Sequence, residues 1–251
     1  MSEGEEMEND VLVMLSGGRD SFLATCRLLD SSNNFSVKMV TYDNGCSYRS
    51  ENAKLVADRI IQQYGEQRAE YLGVHKISGI IREFFFPYFN MKPQEQMRLF
   101  AGLTPSQFHC LICRTSMYIY SVWLCKKYGI SYIAEGARKI QAFVIELPGM
   151  AKERYPAMLK AEGIELLLPV YDLEDDWERD NELLRRNFLC KSYEPKCMVG
   201  VPVKESIDET VVEGVHNYFD QIIMKKINEL ELLSEKNCYL YLDKQYDELQ
   251  Q

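Results

Sequence analysis

The sequence contains no apolar run that approaches the roughly 18 residues of a membrane-spanning helix. Its first ten residues, MSEGEEMEND, are acidic, whereas a secretory signal peptide begins with a basic stretch that an apolar stretch follows. We therefore expect a cytoplasmic protein that has no membrane partner. Thiols stay reduced in that compartment, so the eight cysteines favour metal ligation or catalysis over a disulfide framework.

The chain also has fewer basic residues than acidic residues. The chain has 29 lysines and arginines against 38 acidic residues, which gives a formal net charge of −9. The densest basic clusters are pairs, such as Lys126-Lys127 and Arg185-Arg186. Nucleic-acid-binding proteins usually carry a basic face, although a local basic cleft can hold RNA on an acidic protein. The composition disfavours an RNA-binding role without excluding it.

Three common motifs of nucleotide-binding and hydrolytic enzymes are absent from the chain. It contains no G-x-x-x-x-G-K-[ST], no G-x-G-x-x-G and no G-x-S-x-G. An ordinary P-loop, a common dinucleotide-binding loop and a hydrolase nucleophile elbow therefore lack support. What remains is a chain of 251 residues with 46% hydrophobic residues, which is long enough to bury a substantial core.

Short apolar runs alternate with segments of helical spacing along most of the chain. The predicted strands are 11–15, 36–42, 70–74, 131–134 and 164–170, and the predicted helices are 22–29, 51–64, 115–128 and 175–188. This alternation predicts an α/β fold, a doubly wound five-stranded parallel sheet with helices on both faces. Residues 207–233 are predicted to form one long C-terminal amphipathic helix.

One segment, 84–109, does not fit the alternation. It carries three of the eight prolines, Pro87, Pro93 and Pro105. We interpret it as an insertion that covers the surface, or alternatively as a segment that covers the substrate or forms a dimer.

The most informative motif is Ser16-Gly17-Gly18-Arg19-Asp20-Ser21, which lies directly after the first predicted strand and before the first helix. The two glycines permit a sharp turn and close approach to a ligand. The serine hydroxyls and the free N–H groups at the start of the helix form an anion site. The carboxylate of Asp20 would either order the loop or reach a Mg²⁺ ion that bridges phosphates.

In this strand–loop–helix setting the motif resembles the SGGxDS loop of the PP-loop superfamily, the N-type ATP pyrophosphatases with an adenine nucleotide alpha-hydrolase-like fold. Members bind ATP, release pyrophosphate and leave an adenylated substrate that a nucleophile attacks. The resemblance extends from residue 11 to about residue 200 and implies ATP and Mg²⁺ as cofactors. It implies that the pyrophosphate of ATP is bound by Ser16, Gly17, Gly18, Asp20 and Ser21.

Further positions follow from the same resemblance. Tyr42, at the end of the second strand, falls where relatives place the adenine, and Gly136 follows the fourth strand as a further cofactor-binding residue. Many relatives carry Gly-His followed by acids there, whereas Arg138 and Lys139 stand here. Either this basic pair binds a negative charge of the phosphates or of the substrate, or it lies in a turn that is exposed to solvent. On the first interpretation Arg138 is catalytic. Asp20 is expected to be catalytic as the carboxylate that holds Mg²⁺, which stabilises charge on the leaving pyrophosphate.

The spacing of four cysteines gives a second motif. Cys110 and Cys113 form a C-x₂-C before the predicted helix, and Cys190 and Cys197 follow later in the chain. A C-x₂-C at a helix N-terminus lets two thiolates face one ion, and the helix dipole lowers their pKa. Four thiolates from two segments fit a tetrahedral zinc or an iron–sulfur cluster, which the spacing does not separate. A redox-active or persulfide-carrying pair and simple packing are the alternatives.

A central C-x₂-C with a further downstream cysteine resembles the branch of the superfamily that thiolates tRNA to 2-thiouridine or 2-thiocytidine. In that branch three cysteines hold a cluster, such as [4Fe–4S], at the active site. The resemblance implies an AMP-forming enzyme that adenylates a carbonyl oxygen of a nucleobase, in tRNA or in a small molecule, and replaces it with sulfur. It also implies catalytic roles for Cys110 and Cys113.

Two alternatives stay open. The count of four cysteines is similar to that of the 7-cyano-7-deazaguanine synthase branch, which carries zinc, although its C-x₂-C-x₂-C is missing here. That branch would imply adenylation followed by ammonia attack, giving an amide or nitrile. The second alternative is an ATP-binding protein without turnover.

The expected organisation is an acidic disordered tail (1–10), a PP-loop ATP-binding domain with the cysteine site (11–205) and a C-terminal helical extension (206–251). The expected partners are the substrate, a sulfur donor and a second copy of the chain in a homodimer.

Other chemically active residues carry weaker signals. His109 is a candidate metal ligand or general base, although a single histidine is more often a structural residue. Cys46 lies near the expected position of ATP. Cys26 and Cys125 are predicted to be packing residues. The acids within 172–180 are predicted to be the solvated first turn of a helix.

Overall fold

The structure is a computed structural model that describes residues 9–85, 91–92, 94–95, 104–140, 149–189, 191–199 and 209–248. The strands are β1 (Asn9–Met14), β2 (Phe35–Asp43), β3 (Ser47–Tyr48), β4 (Ala69–Lys76), β5 (Tyr132–Glu135), β6 (Glu165–Leu167) and β7 (Lys196–Cys197). The helices are α1 (Arg19–Leu29), α2 (Lys54–Tyr64), α3 (Pro105–Tyr128), α4 (Tyr155–Lys160), α5 (Asp176–Arg185), α6 (Glu209–Tyr218), α7 (Met224–Glu229) and α8 (Glu235–Glu248).

Five strands form one sheet in the order β4-β2-β1-β5-β6, and every neighbouring pair is parallel. Successive residues of the central strand face opposite sides. Leu12 packs in a core with α3 and the C-terminal helices, whereas Val11 and Val13 pack in a second core with α1, α2 and α5. The prediction of a doubly wound, five-stranded parallel sheet is confirmed.

The fifth strand and the helix after it are shorter than predicted. The apolar run 164–170 contributes only Glu165–Leu167 to the sheet. Pro169 has no N–H to donate to a neighbouring strand. A turn follows, in which Leu173 N donates to Val170 O at 3.0 Å. Helix α5 covers less than the predicted 175–188, because Asp175 is its N-cap.

Helix α3 begins ten residues earlier than the predicted 115–128. The side chain of Thr104 accepts a hydrogen bond from Gln107 N while the Gln107 side chain accepts from Thr104 N, which is a capping box. Pro105 occupies the first turn, where its missing N–H costs nothing. The last five residues of the supposed insertion 84–109 are therefore helical, while Pro87 and Pro93 lie outside the described residues.

The predicted long C-terminal helix is confirmed, although its continuous helical backbone covers residues 209–229 and not the whole of 207–233. Helices α6 and α7 are joined by a π-helical turn, Phe219–Ile223, and a tight turn after Glu229 leads into α8. Trp123 of α3 anchors this turn by donating from Nε1 to Leu232 O at 2.9 Å. The proposed tail 1–10 is also too long, because Asp10 belongs to β1 and only residues 1–8 fall outside the description there.

No helix within the described ranges combines the length and the apolar character that crossing a membrane requires.

The end of β5 packs directly on the start of α1, and this contact can be tested. A Cβ on Gly136 would overlap the backbone of Ser21, whereas a Cβ on Gly79 would meet nothing within 4 Å. We expect Gly136→Ala to lower the free energy of unfolding by about 1–3 kcal/mol or more, since neither backbone can yield. Gly79→Ala is the matched control, and urea unfolding of both variants is the measurement. Equal stability of the two variants would contradict the contact.

Candidate functional site

The loop 16–21 connects the carboxyl end of β1 to the N-terminus of α1. Gly17 adopts φ +83°, which a side chain would strain. The hydroxyl of Ser16 accepts from Gly18 N at 3.1 Å, and the hydroxyl of Ser21 donates to Gly18 O at 3.1 Å. These two hydroxyls hold the loop together. The N-cap position, Gly18, supplies no side-chain oxygen to the first turn of α1. This arrangement is suited to binding an anion at the helix start.

A second segment, 191–199, crosses over this loop, and we call it the crossing segment. Tyr193 N donates to Gly17 O at 2.9 Å, and Met198 N donates to Cys46 O at 3.0 Å. Strand β7, within the crossing segment, pairs antiparallel with β3. Glu194 lies beside Gly18, where its carboxyl pKa is raised by burial of the group in the cleft and by the charge of Asp20. The crossing segment thus brings a carboxylate and a cysteine to the loop.

A cavity of about 300 Å³ opens at the carboxyl edge of the sheet, where open α/β sheets bind ligands. Four parts of the chain line it: the loop and the ends of β1 and β2, the first turns of α3, the residues after β5, and the crossing segment. The polar residues and cysteines in the lining are Ser16, Asp20, Ser21, Thr41, Tyr42, Asn44, Ser47, His109, Cys110, Cys113, Arg114, Glu194 and Cys197. Gly18 and Gly136 also line it.

The C-x₂-C lies inside α3, so the prediction that it precedes the helix is wrong. The capping box starts the helix at Pro105, and residues three apart on a helix share a face. Burial raises the pKa of Cys113 to about 12, against the lowering expected at a helix N-terminus. The two cysteines are therefore presented to the cavity from one helical face.

Asn44 links sulfurs from the two segments. Its Nδ2 lies 3.3 Å from Cys113 Sγ and 3.7 Å from Cys197 Sγ, so these sulfurs are within about 7 Å of each other, the sum of the two distances. Its Oδ1 accepts from Cys46 N at 2.8 Å, which keeps a third cysteine beside them. Sequence reasoning missed Asn44, although a polar residue directly after a central parallel strand is a usable signal.

The described residues contain no group of three histidine, cysteine or acidic side chains close enough to hold one metal ion. Zinc–sulfur bonds of about 2.3 Å bring the thiolates of one ion to about 4 Å from one another. An iron–sulfur cluster is larger and separates its thiolates further, which suits Cys110, Cys113 and Cys197 around one cavity. Cys190 lies outside the described residues, so a site shared by all four cysteines stays a prediction.

His109 and the remaining cysteines fall into different environments. His109 Nε2 lies 3.9 Å from Cys197 Sγ, and burial lowers the pKa of its imidazole. It is thus placed to act as a neutral ligand or base at the cavity. Cys26 and Cys125 lie in the two hydrophobic cores, in agreement with their predicted packing role.

Arg138 is buried behind the loop, so its interpretation as a solvated turn residue is wrong. It is not among the residues that line the cavity, and its predicted catalytic role stays a prediction. Its Nη1 lies 3.2 Å from Asp20 Oδ1 and 2.5 Å from Asp176 Oδ1. Arg179, which sequence reasoning missed, approaches the same Asp20 oxygen at 3.0 Å. Lys139 does not line the cavity and pairs with Glu174 at the surface. Of the two roles considered for Asp20, these contacts support ordering of the loop.

The acidic residues that begin α5 are only partly a solvated helix start. Asp175 caps α5 as expected, accepting from Trp177 N at 2.7 Å. Asp176 instead reaches Arg138, and Asp180 accepts from Arg19 of the loop at 2.6 Å. Helix α5 is therefore tied to the loop by ion pairs.

Tyr42 lines the cavity, but its phenol points into the core. Its hydroxyl shares a hydrogen bond of 2.7 Å with Ser121 Oγ, and its ring packs edge-on against Tyr120. A role in binding adenine stays a prediction for this position.

Comparisons with known proteins give limited information. No family model matches the sequence, and no curated protein matches it. A solved structure with a similar chain course is the U34-tRNA thiolase NcsA from Methanococcus maripaludis with its [4Fe-4S] cluster. The TM-score is 0.45 and the identity 15%, over 89% of this chain and 73% of that chain. Functional assignments for this chain therefore depend on its own residues.

The buried ion pairs of Asp20 generate a stability prediction. Arg138→Met keeps most of the side-chain volume but removes one of the two buried arginines that Asp20 and Asp176 share, and we expect it to cost about 2–3 kcal/mol. Lys139→Met removes an exposed pair and should cost about 0–1 kcal/mol. Urea unfolding at pH 7 measures both changes. A loss for Arg138→Met no larger than that for Lys139→Met would contradict the buried network.

The same network predicts a dependence on pH. A hydrogen bond from Arg138 lowers the pKa of Asp176 below its ordinary value, although partial burial opposes this. The resulting stabilisation is complete above the unfolded pKa and is lost as the pH falls through the lowered folded pKa. We expect Asp176→Asn to be less stable than the wild type at pH 7, with the difference shrinking as the pH falls below the ordinary pKa of an aspartate and through the lowered folded pKa of Asp176. Unfolding midpoints across this range provide the test, and a constant difference would contradict it.

Proposed function

We propose that this chain is an ATP-dependent, AMP-forming enzyme of the PP-loop type that replaces a carbonyl oxygen of a nucleobase-like substrate with sulfur. One observation carries the proposal: a single cavity is lined both by the loop 16–21 and by Cys110, Cys113 and Cys197. Activation by a nucleotide and delivery of sulfur must occur at the same carbonyl carbon. A cavity that joins the two kinds of residue meets this requirement.

The nucleotide half of the reaction uses the loop and the start of α1. The backbone N–H groups at the start of α1 are placed to bind the negatively charged phosphates of ATP. The hydroxyls of Ser16 and Ser21 keep the loop in this conformation. The substrate oxygen attacks the α-phosphorus of ATP, the bond to the β-phosphate breaks, and pyrophosphate leaves. An amide-like oxygen is a poor leaving group, whereas AMP that carries this oxygen is a good one. Mg²⁺ would offset the charge of the departing pyrophosphate.

The sulfur half of the reaction uses the cysteines at the other side of the cavity. A sulfur nucleophile attacks the activated carbon, and the carbon–oxygen bond breaks as AMP leaves. Cys110, Cys113 and Cys197 line one cavity, yet no three such side chains among the described residues lie close enough to share one ion, which favours an iron–sulfur cluster over a single zinc ion as the group that they hold. Such a cluster, when bound, supplies iron that can coordinate sulfur. Asn44 holds the thiols of Cys113 and Cys197 in place from the end of β2.

Adenylation followed by ammonia attack is the competing reaction. It needs the same loop but gives the cysteines only a structural task. A structural site has no need to line the nucleotide cavity, and these cysteines do line it. This placement favours sulfur transfer.

The metal content of cysteine variants tests the proposal. We expect anaerobically purified protein to contain iron and acid-labile sulfide and to absorb visible light. Cys113→Ala and Cys197→Ala should each lose most of the iron, because each removes a cluster ligand. Cys125→Ala, a buried packing position on the same helix, should keep it. All three variants should still bind ATP through the loop 16–21.

Activity separates the alternatives. Pyrophosphate release should depend on a nucleobase-containing substrate, and the product should contain sulfur. A colourless protein that holds one zinc and incorporates nitrogen would favour amidation instead. A protein that binds ATP but releases no pyrophosphate with any candidate would contradict catalysis.

A further inference from the structure

Arg114 lies between the two halves of the cavity. It follows Cys113 on α3, and its Nη1 donates to Glu135 Oε2 at 2.6 Å. Glu135 is the last residue of β5, and its side chain is only 3% exposed. Tyr118, one turn further along α3, donates to the other carboxylate oxygen at 2.7 Å. Both oxygens of a buried carboxylate are therefore used to hold the arginine and its helix.

The guanidinium of Arg114 is the part of this network that reaches the cavity. The Arg114 side chain is 22% exposed and lines the cavity. Glu135 and Tyr118 are not among the lining residues. On the cysteine side, Arg114 follows Cys113 directly in α3. On the loop side, the charge of Arg114 opposes the rise in the pKa of the Glu194 carboxyl that burial causes, and Glu194 lies beside Gly18.

We propose that Arg114 binds the phosphate that joins AMP to the substrate, and that Glu135 and Tyr118 are its positioning residues. The inference depends on the proposed function, which places an adenylate between the loop and the cysteines. The planar guanidinium matches two phosphate oxygens at once. As AMP leaves, negative charge grows on this phosphate group, and a fixed arginine stabilises it without rearranging.

Nucleotide binding tests the proposal without an identified substrate. AMP, ATP and pyrophosphate are titrated by calorimetry into the wild type, Arg114→Ala and Arg114→Lys. We expect Arg114→Ala to lower the affinity for AMP and ATP by at least about tenfold while changing that for pyrophosphate less than about twofold. Arg114→Lys, which keeps the charge but loses the planar fork, should fall in between. Arg185→Ala, an exposed arginine of α5 outside the cavity, is the matched control.

A double variant separates positioning from a merely structural role. Glu135→Gln should lower AMP affinity less than Arg114→Ala, and it should add nothing when combined with Arg114→Ala, because both changes act on one interaction. Thermal unfolding identifies variants that fail to fold, and Tyr118→Phe replaces Glu135→Gln in that case. Unchanged AMP affinity in Arg114→Ala, or an equal loss for pyrophosphate, would overturn the assignment of Arg114 alone. A wild type that binds no adenine nucleotide would overturn the proposed function and this assignment together.

Discussion

The carboxylate of Asp20 makes the ion pairs on which the rest of the cavity depends. It sits at the start of α1 between Arg138, which follows β5, and Arg179, which comes from α5. Both arginines are almost completely buried, so their attraction to the carboxylate is weakly screened and removal of any partner is costly. The segment after β5 and helix α5 are thereby fixed against the loop. The shape of the loop, and of every site that touches it, depends on this contact.

The parallel sheet explains why such distant residues meet. The carboxyl ends of β1, β2 and β5 lie at one edge, so the loop, Asn44 and Gly136 are neighbours although they come from separate parts of the sequence. Helix α3 then presents Cys110 and Cys113 to that edge, and the crossing segment brings Cys197. The proposed sulfur chemistry depends on this convergence, since α3 and the crossing segment are far apart in the sequence and meet only at this cavity.

The sequence predictions failed where a local signal was overlooked or where burial decided the outcome. The capping box formed by Thr104 and Gln107 can be identified from the sequence, and it places Cys113 inside the helix. The sequence did not indicate that Arg138 is buried in an ion-pair network. A basic residue in a turn is usually solvated, and only packing of α5 against the loop buries this one. Arg179 could not be identified either, because its acidic partner Asp20 is remote in the chain.

The sequence by itself determined the five apolar strands, their alternation with helices and the glycine loop after β1, because hydrophobic period and glycine content act over a few residues. Only the tertiary structure decided which cysteines share a cavity, which arginines are buried and where Arg114 points. Those outcomes depend on strand order and on contacts between residues far apart in the chain. Local propensity carries no information about such contacts, because their energies arise only when the sheet and its helices have assembled.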